Sequence, residues 1–270
     1  MKYIGKWAFF KCESLKNISV PKHIKCIEKC AFSNCKSLKD IKLPDGLKDI
    51  NDGAFEYCEQ LETIEFPNAL SSIDNNAFYG CKSLIEANMP DSVVILGTKA
   101  FSHCTSIKKI HIPASIKSLD GGTFSYCESL KRVDVPEGVE SIKNDVFNFC
   151  KNLNFVILPK TVKTILPTAF NGCKSLIYVK FNGRFMEDVV ELKYYPWGLN
   201  TEIITTELNK RSYNTDAIDT TIEYHRPDDD NDDDDDINNS SDDIDFNKIE
   251  IDTNATDDDP EMNLDNYFNF

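Results

Sequence analysis

Apolar residues recur along this chain at a fixed interval of 23 residues, from Ile4 to about Phe181. Each copy contains a stretch such as residues 15–21, in which apolar and polar positions alternate as they do in a short strand. Proline, which lacks an amide hydrogen, ends this stretch in seven of the eight copies. A second, shorter apolar step follows, as at Ile24 and Ile27. A constant period of this length predicts a solenoid, in which every copy buries its apolar side against its neighbours.

Three positions of the repeat are almost constant, and we expect their side chains to stack in the core. Stacked copies place like residues over like at about 4.8 Å, so eight copies predict a slab about 40 Å long. The phenylalanine is expected to fill the space between the two walls of each coil. The constant positions are phenylalanine (Phe9, Phe32, Phe55, Phe78, Phe101, Phe124, Phe147, Phe170), cysteine (Cys12, Cys35, Cys58, Cys81, Cys104, Cys127, Cys150, Cys173) and leucine or isoleucine (Leu15, Leu38, Leu61, Leu84, Ile107, Leu130, Leu153, Leu176).

The regular cysteine column is interpreted as a ladder of buried thiols. Free cysteine is a favoured small core residue. A disulfide needs Cβ atoms about 3.8 Å apart, which is closer than neighbouring strands lie. The two other cysteines, Cys26 and Cys30, form a C-x-x-x-C pair with no matching histidine or cysteine pair, which is a poor zinc site. We therefore expect no metal and no cofactor.

These columns resemble the BspA-like, or type 5, leucine-rich repeats, whose signature A-F-x-x-C-x-x-L-x-x-I-x-L-P recurs every 23 residues. The resemblance covers residues 4–183. It implies a β-rich leucine-rich-repeat solenoid of about eight coils. It also implies a surface or cytoplasmic protein of adhesion and interaction, but no binding residue is shared widely enough in the family to be carried over to this chain.

Three segments follow from the pattern and the composition. Residues 1–183 are the predicted solenoid, residues 184–226 a C-terminal capping segment that keeps apolar content, and residues 227–270 a disordered acidic tail rich in Asp and Asn. The tail has 18 acidic residues against one lysine, a net charge of −17. Since the whole chain carries −15, residues 1–226 carry only +2, which does not favour nucleic acid as a partner. Two functions of the tail stay open: it keeps the protein soluble, or it competes with acidic partners for binding.

Features that the sequence lacks predict where the protein resides in the cell and whether it is an enzyme. Neither a signal peptide nor a membrane span is visible, which predicts a cytoplasmic protein, whereas the family resemblance favours a surface-exposed one. The histidines do not lie in a recognisable catalytic motif, and a serine that recurs before the strand in six of the eight copies is better interpreted as a turn former. A ladder of equivalent positions does not supply the single constellation that catalysis needs, so we expect no enzyme.

The outward positions of the predicted concave sheet differ from copy to copy, as expected of an adapted binding surface on a fixed scaffold. Copies five and six bring basic residues, and copies seven and eight bring large apolar ones. We predict that this zone binds a protein partner. Alternatively, residues 184–226 fold back and cover the apolar groups. The predicted site consists of Lys109, His111, Arg132, Phe155, Ile157 and Tyr178.

Two expectations concern association and function. The first coil has almost no chain before it, so Ile4, Phe9, Leu15 and Ile18 are expected to be exposed and to allow self-association. The predicted function is a non-catalytic scaffold that binds an unidentified protein through the concave sheet. The alternative is a surface-exposed adhesin that binds host or matrix proteins.

Overall fold

The computed structural model describes residues 3–181 and 202–205, and these form a β-solenoid without any helix. Most coils contribute a strand of three or four residues and a strand of two residues. We call the longer strands the inner row, because they correspond to the predicted concave sheet. The inner row consists of β1 (Asn17–Ser19), β3 (Asp40–Lys42), β6 (Glu86–Asn88), β8 (Lys109–His111), β10 (Arg132–Asp134), β12 (Phe155–Leu158), β14 (Tyr178–Phe181) and β15 (Glu202–Thr205).

The two-residue strands form the outer row. Their bounds are β2 (Cys26–Ile27), β4 (Asp49–Ile50), β5 (Ser72–Ile73), β7 (Ile95–Leu96), β9 (Ser118–Leu119), β11 (Ser141–Ile142) and β13 (Thr164–Ile165). In both rows the strands pair in parallel, and up to β14 every pair joins residues 23 apart, as Ile142 with Ile165 and Arg132 with Phe155. Like residues therefore lie over like, as the repeat predicts.

The phenylalanine column forms a continuous stack through the core. Consecutive rings from Phe9 to Phe170 lie 5.0–5.8 Å apart between centroids and are tilted by no more than 14°. All of these rings from Phe32 onwards are buried, whereas Phe9 is half-buried at the first coil. Because each inner ring is covered on both faces, the stack joins successive coils into one core.

The cysteine column ties neighbouring coils together by hydrogen bonds. From Cys35 to Cys173, each thiol donates to the carbonyl oxygen of the phenylalanine 26 residues earlier, at 3.0–3.4 Å between sulfur and oxygen. All ten cysteines are free. The interpretation as buried thiols holds for the middle of the column, while Cys12 is exposed and Cys173 is half-buried.

The backbone turns sharply on both sides of the stacked rings from Phe9 to Phe147. In the second coil, for example, Cys30 has a φ of 52° and Asn34 a φ of 61°, both in the left-handed region. Phe32 lies between them and is fully buried together with its neighbour Ala31. Alanine, which precedes the phenylalanine in most copies, is small enough to leave room for the tight turn.

The strand pairing is interrupted at two places. Residues 62–66, in the third coil, form no strand, so that β3 and β6 have no paired neighbour between them. A second interruption affects both rows, since neither β8 and β10 nor β7 and β9 are paired. Phe101 and Phe124 lie 5.8 Å apart there, the widest spacing of the stack, and Thr123 replaces the usual alanine.

The two ends of the solenoid differ in part from expectation. Ile4 is buried, with 3% of its surface exposed, so the expectation that it is exposed is wrong. Phe9, Leu15 and Ile18 are half-buried against the core. At the other end β15, within the predicted capping segment, pairs in parallel with β14. The rest of the predicted cap (184–226) and the whole acidic tail (227–270) lie outside the described residues, and their boundaries stay predictions.

Candidate functional site

The inner row carries the candidate site, because its outward positions lie in two columns above the constant core. Pairing places Arg132, Phe155 and Tyr178 in one column, and Asp134, Ile157 and Lys180 in the other. The residues between them, such as Val133 and Val156, are buried. This alternation is the period of two that a strand with one buried face requires.

The centre of the site is a fixed arrangement of Arg132, Asp134 and Phe155. The guanidinium of Arg132 donates two hydrogen bonds to the Asp134 carboxylate, from Nε at 2.9 Å and from Nη2 at 3.0 Å. Its Cζ also lies 5.2 Å from the centroid of the Phe155 ring, within the range of a cation–π contact. The charge of Arg132 is therefore matched locally by Asp134, and the planar guanidinium is held beside the ring.

The apolar part of the site lies on β12. Phe155 and Ile157 are half-buried, two residues apart on the same face. Tyr178 occupies the next position in the column of Phe155, on β14. On the other side of β14, β15 places Glu202 at the position opposite Tyr178 and Ile204 opposite Lys180. The inner sheet therefore continues beyond the predicted site by one strand.

The structure places Lys109 and His111 apart from the other predicted site residues. Both lie on β8, which pairs with β6 and not with β10, so that the second interruption separates them from Arg132. Pairing sets Lys109 opposite Glu86, and the Nε2 of His111 lies 3.3 Å from the Oδ1 of Asp91. The predicted zone is therefore two adjoining patches in which Lys109, His111 and Arg132 each lie beside an acidic residue.

Sequence reasoning missed a cleft in the third coil, where the inner row is interrupted. Asp40, Lys42, Leu43, Glu65 and Phe66 line this cleft. The signal was present in the repeat alignment, because Phe66 is larger than the aliphatic residues that precede the proline in neighbouring copies. Phe66 and the small Ala87 of the next copy together mark the place where the surface changes shape.

The buried thiols do not offer reactive chemistry. Burial raises the pKa of Cys35 to about 11 and that of Cys173 to about 12. It raises the pKa of the intervening Cys58, Cys81, Cys127 and Cys150 well above the ordinary value. Because the thiolate is the nucleophile and the metal ligand, thiols held protonated in this way serve packing.

Neither a metal-binding cluster nor a membrane-spanning helix lies in the part of the chain that the structure describes. Among the described residues, three or more His, Cys, Asp or Glu side chains do not gather where they could hold a metal ion. In residues 3–181 and 202–205 there is also no helix able to cross a membrane.

Comparison with solved structures finds other leucine-rich-repeat proteins. One from Bacteroides ovatus ATCC 8483 is 26% identical, with a TM-score of 0.58 over 66% of this chain and 58% of that one. A leucine-rich cell surface protein from Faecalibacterium prausnitzii A2-165 is 26% identical, with a TM-score of 0.48 over 68% of this chain and 64% of that one. The leucine-rich-repeat protein TpLRR of T. pallidum is 29% identical, with a TM-score of 0.49 over 64% of this chain and 71% of that one. The match thus spans less than two thirds of the first two proteins.

Comparison with family models gives a match over most of the repeats. A search of curated proteins finds no match. The model described as the BspA type leucine-rich-repeat region, with six copies, matches residues 1–105 and 48–177. These residues include the whole of the described phenylalanine stack. The chain therefore belongs to the BspA-type leucine-rich-repeat proteins.

Proposed function

We propose that this protein is a non-catalytic scaffold that binds a protein partner through the inner row of its solenoid. The observation that carries this proposal is the contrast between a core of constant columns and an inner row whose outward residues differ in every copy. Such a surface can change without loss of the core beneath it. The family supports a binding scaffold, and the partner is proposed here by its chemistry.

The central contact surface is proposed to be Arg132, Phe155, Ile157 and Tyr178. Arginine and aromatic residues are the usual anchors of protein interfaces, and Arg132 is already held in place by Asp134 and Phe155. Preorganisation of this kind lowers the entropy lost on binding. Lys109 and His111, on the adjoining patch, are proposed to contribute at the rim.

The local charge balance predicts which partner this surface prefers. Since Asp134 matches the charge of Arg132, the patch offers a ring, an aliphatic side chain and a satisfied ion pair. We therefore expect a partner that presents an apolar or aromatic side chain to Phe155 and Ile157, and only secondary contacts from acidic groups to Lys109 and His111.

The experiment compares capture of partners by the full chain and by two matched variants. The first, Phe155→Ser with Ile157→Ser, removes apolar groups from the inner row. The control, Val94→Ser with Ile95→Ser, removes two apolar groups that are 57% and 56% exposed around the outer row. Proteins captured by the wild type and the control but lost with the inner-row variant support the proposal. Equal capture by all three folded proteins would contradict it.

The surface-exposed adhesin uses the same face and differs only in location. Labelling of intact cells with a reagent that does not cross membranes separates the two. Labelled protein would support an adhesin for host or matrix proteins, and protein labelled only after lysis would support an internal scaffold.

A further inference from the structure

The inner row opens at its surface in the third coil while the core beneath stays closed. Backbone groups of Thr63, Ile64, Glu65 and Phe66 do not pair with other backbone groups in the part of the chain that the structure describes. The stack continues under them without a gap, because Phe55 lies 5.4 Å from Phe32 and 5.2 Å from Phe78. The coils have therefore not separated, and only the sheet above them is interrupted.

Phe66 gives a physical reason for the opening. Its ring packs edge-on against Phe78 at 5.6 Å and against Phe101 at 6.4 Å, one and two coils further along the stack. The next copy has Ala87 at a position that is isoleucine or valine in the other copies. A large side chain directed along the stack beside a small one accompanies the loss of ladder pairing at residues 63–66.

The opening exposes part of a column that is covered elsewhere. Leu43 and Phe66 are half-buried, whereas the equivalent residues of the other described copies are buried: Val20, Met89, Ile112, Val135, Leu158 and Phe181. The two apolar side chains line a cleft of about 680 Å³. This volume lies within the range of about 300–1,000 Å³ that is typical of ligand sites.

The rim of the cleft is acidic and its charges are not matched locally. Asp40, Asp45 and Glu65 line it together with a single amine, that of Lys42. Across the described residues, these three carboxylates form no ion pair, in contrast to Asp134, which is bound by Arg132. A ligand that brings positive charge would be complementary to this rim, and an acidic one would be repelled.

We propose that this cleft binds an extended peptide segment of a partner protein in which basic and aliphatic residues alternate. An aliphatic side chain would pack on Leu43 and Phe66, and the neighbouring Lys or Arg would reach Asp40, Asp45 or Glu65. The backbone groups of residues 63–66 would form hydrogen bonds with the peptide backbone, as in recognition by strand addition. This inference rests on the proposed function, because it assigns a second contact to the same inner row, and it excludes the chain's own acidic tail as the occupant.

Hydrogen exchange of the full chain tests the cleft directly. The probe is a synthetic octapeptide of alternating lysine and leucine, compared with peptides of alternating glutamate and leucine and of alternating lysine and serine. Amides of residues 63–66, which lack backbone acceptors, should exchange rapidly in the free protein and slow down only with the lysine–leucine peptide. Binding of this peptide to the acidic residues 227–270 would not slow exchange at residues 63–66, so the measurement is local.

Two variants then separate the cleft from other acidic sites. In the double variant Asp40→Asn with Glu65→Gln, about ten times more peptide should be needed for the same protection at residues 63–66, because charge-assisted contacts are lost. Asp134→Asn, which removes an inner-row carboxylate outside the cleft, should leave the protection unchanged. Protection by the glutamate–leucine peptide, no protection at saturating lysine–leucine peptide, or equal loss in both variants would overturn the proposal. Capture through Phe155 and Ile157 could still succeed in each case, which distinguishes failure of the cleft from failure of the proposed function.

Discussion

The phenylalanine stack makes a quantitative prediction about Phe78. This ring is fully buried and lies between Phe55 at 5.2 Å and Phe101 at 5.1 Å, nearly parallel to both. Phe78→Leu keeps an apolar side chain but removes both stacked pairs, each of which contributes about 0.5–1.5 kcal/mol beyond its buried area. We therefore expect a loss of about 1–3 kcal/mol in the free energy of unfolding. The edge contact from Phe66 adds to this loss.

The matched control is Phe9→Leu at the first coil. Phe9 is half-buried and has one stacked neighbour, Phe32 at 5.0 Å, so the same substitution should cost less than about 1 kcal/mol. Urea denaturation followed by circular dichroism gives both free energies, with equal slopes confirming that the compact state is unchanged. Equal costs at the two positions, or no cost at Phe78, would refute the argument that stacking between coils stabilises the solenoid.

Three further predictions test the thiols, a histidine and the first coil. Cys12 is exposed, three thiols are half-buried and the other six are buried, so a thiol reagent should modify Cys12 first and the six buried cysteines only on unfolding. Burial lowers the pKa of His103 in the folded protein, so this histidine takes up a proton more readily in the unfolded chain. The free energy of unfolding therefore decreases as the pH falls below about 6.5. In His103→Phe this loss should be smaller, as measured by urea denaturation between about pH 7 and pH 5. Tyr3 and Trp7 are exposed beside the half-buried Phe9, so we expect copies of the protein to associate through this end. Sedimentation velocity at increasing concentration should show the association, and Trp7→Ser should weaken it. A monomer at every concentration would contradict this prediction.

The sequence predicts the core well because one physical requirement repeats in every copy. A side chain at a given position must fit over its equivalent 23 residues away, so the columns of Phe32, Cys35 and Leu38 predict the register, the burial and the period together. The short strand at 202–205 contains Ile203, Ile204 and Thr205, β-branched residues that favour strands. The thiol donors were not foreseen, because a hydrogen bond from sulfur to a carbonyl depends on distances that the repeat does not encode.

The candidate site was predicted less completely, for reasons that lie in single residues. The pairing of Arg132 with Asp134 could have been expected, since residues two apart on a strand share a face. The separation of His111 from Arg132 could not, because it depends on a break in pairing that follows the widest step of the stack. Strand pairing places Tyr178 in the column of Phe155, and the contribution of Tyr178 to binding stays a proposal.

The two kinds of irregularity in this solenoid act on different properties. Changes at outward positions, such as Phe155 for the Arg132 of the preceding copy, alter the chemistry of the inner row and leave the core columns intact. A change in an inward column goes with a change in the shape of the row at Phe66, whose ring reaches along the stack to Phe101 while residues 63–66 do not join the ladder. Exposed substitutions usually change stability by less than about 0.5 kcal/mol, whereas inward ones cost more. The chemistry of a binding surface on this scaffold can therefore change at every coil with little loss of stability. Its shape can change only where the core accepts a compensating change, such as Ala87 beside Phe66.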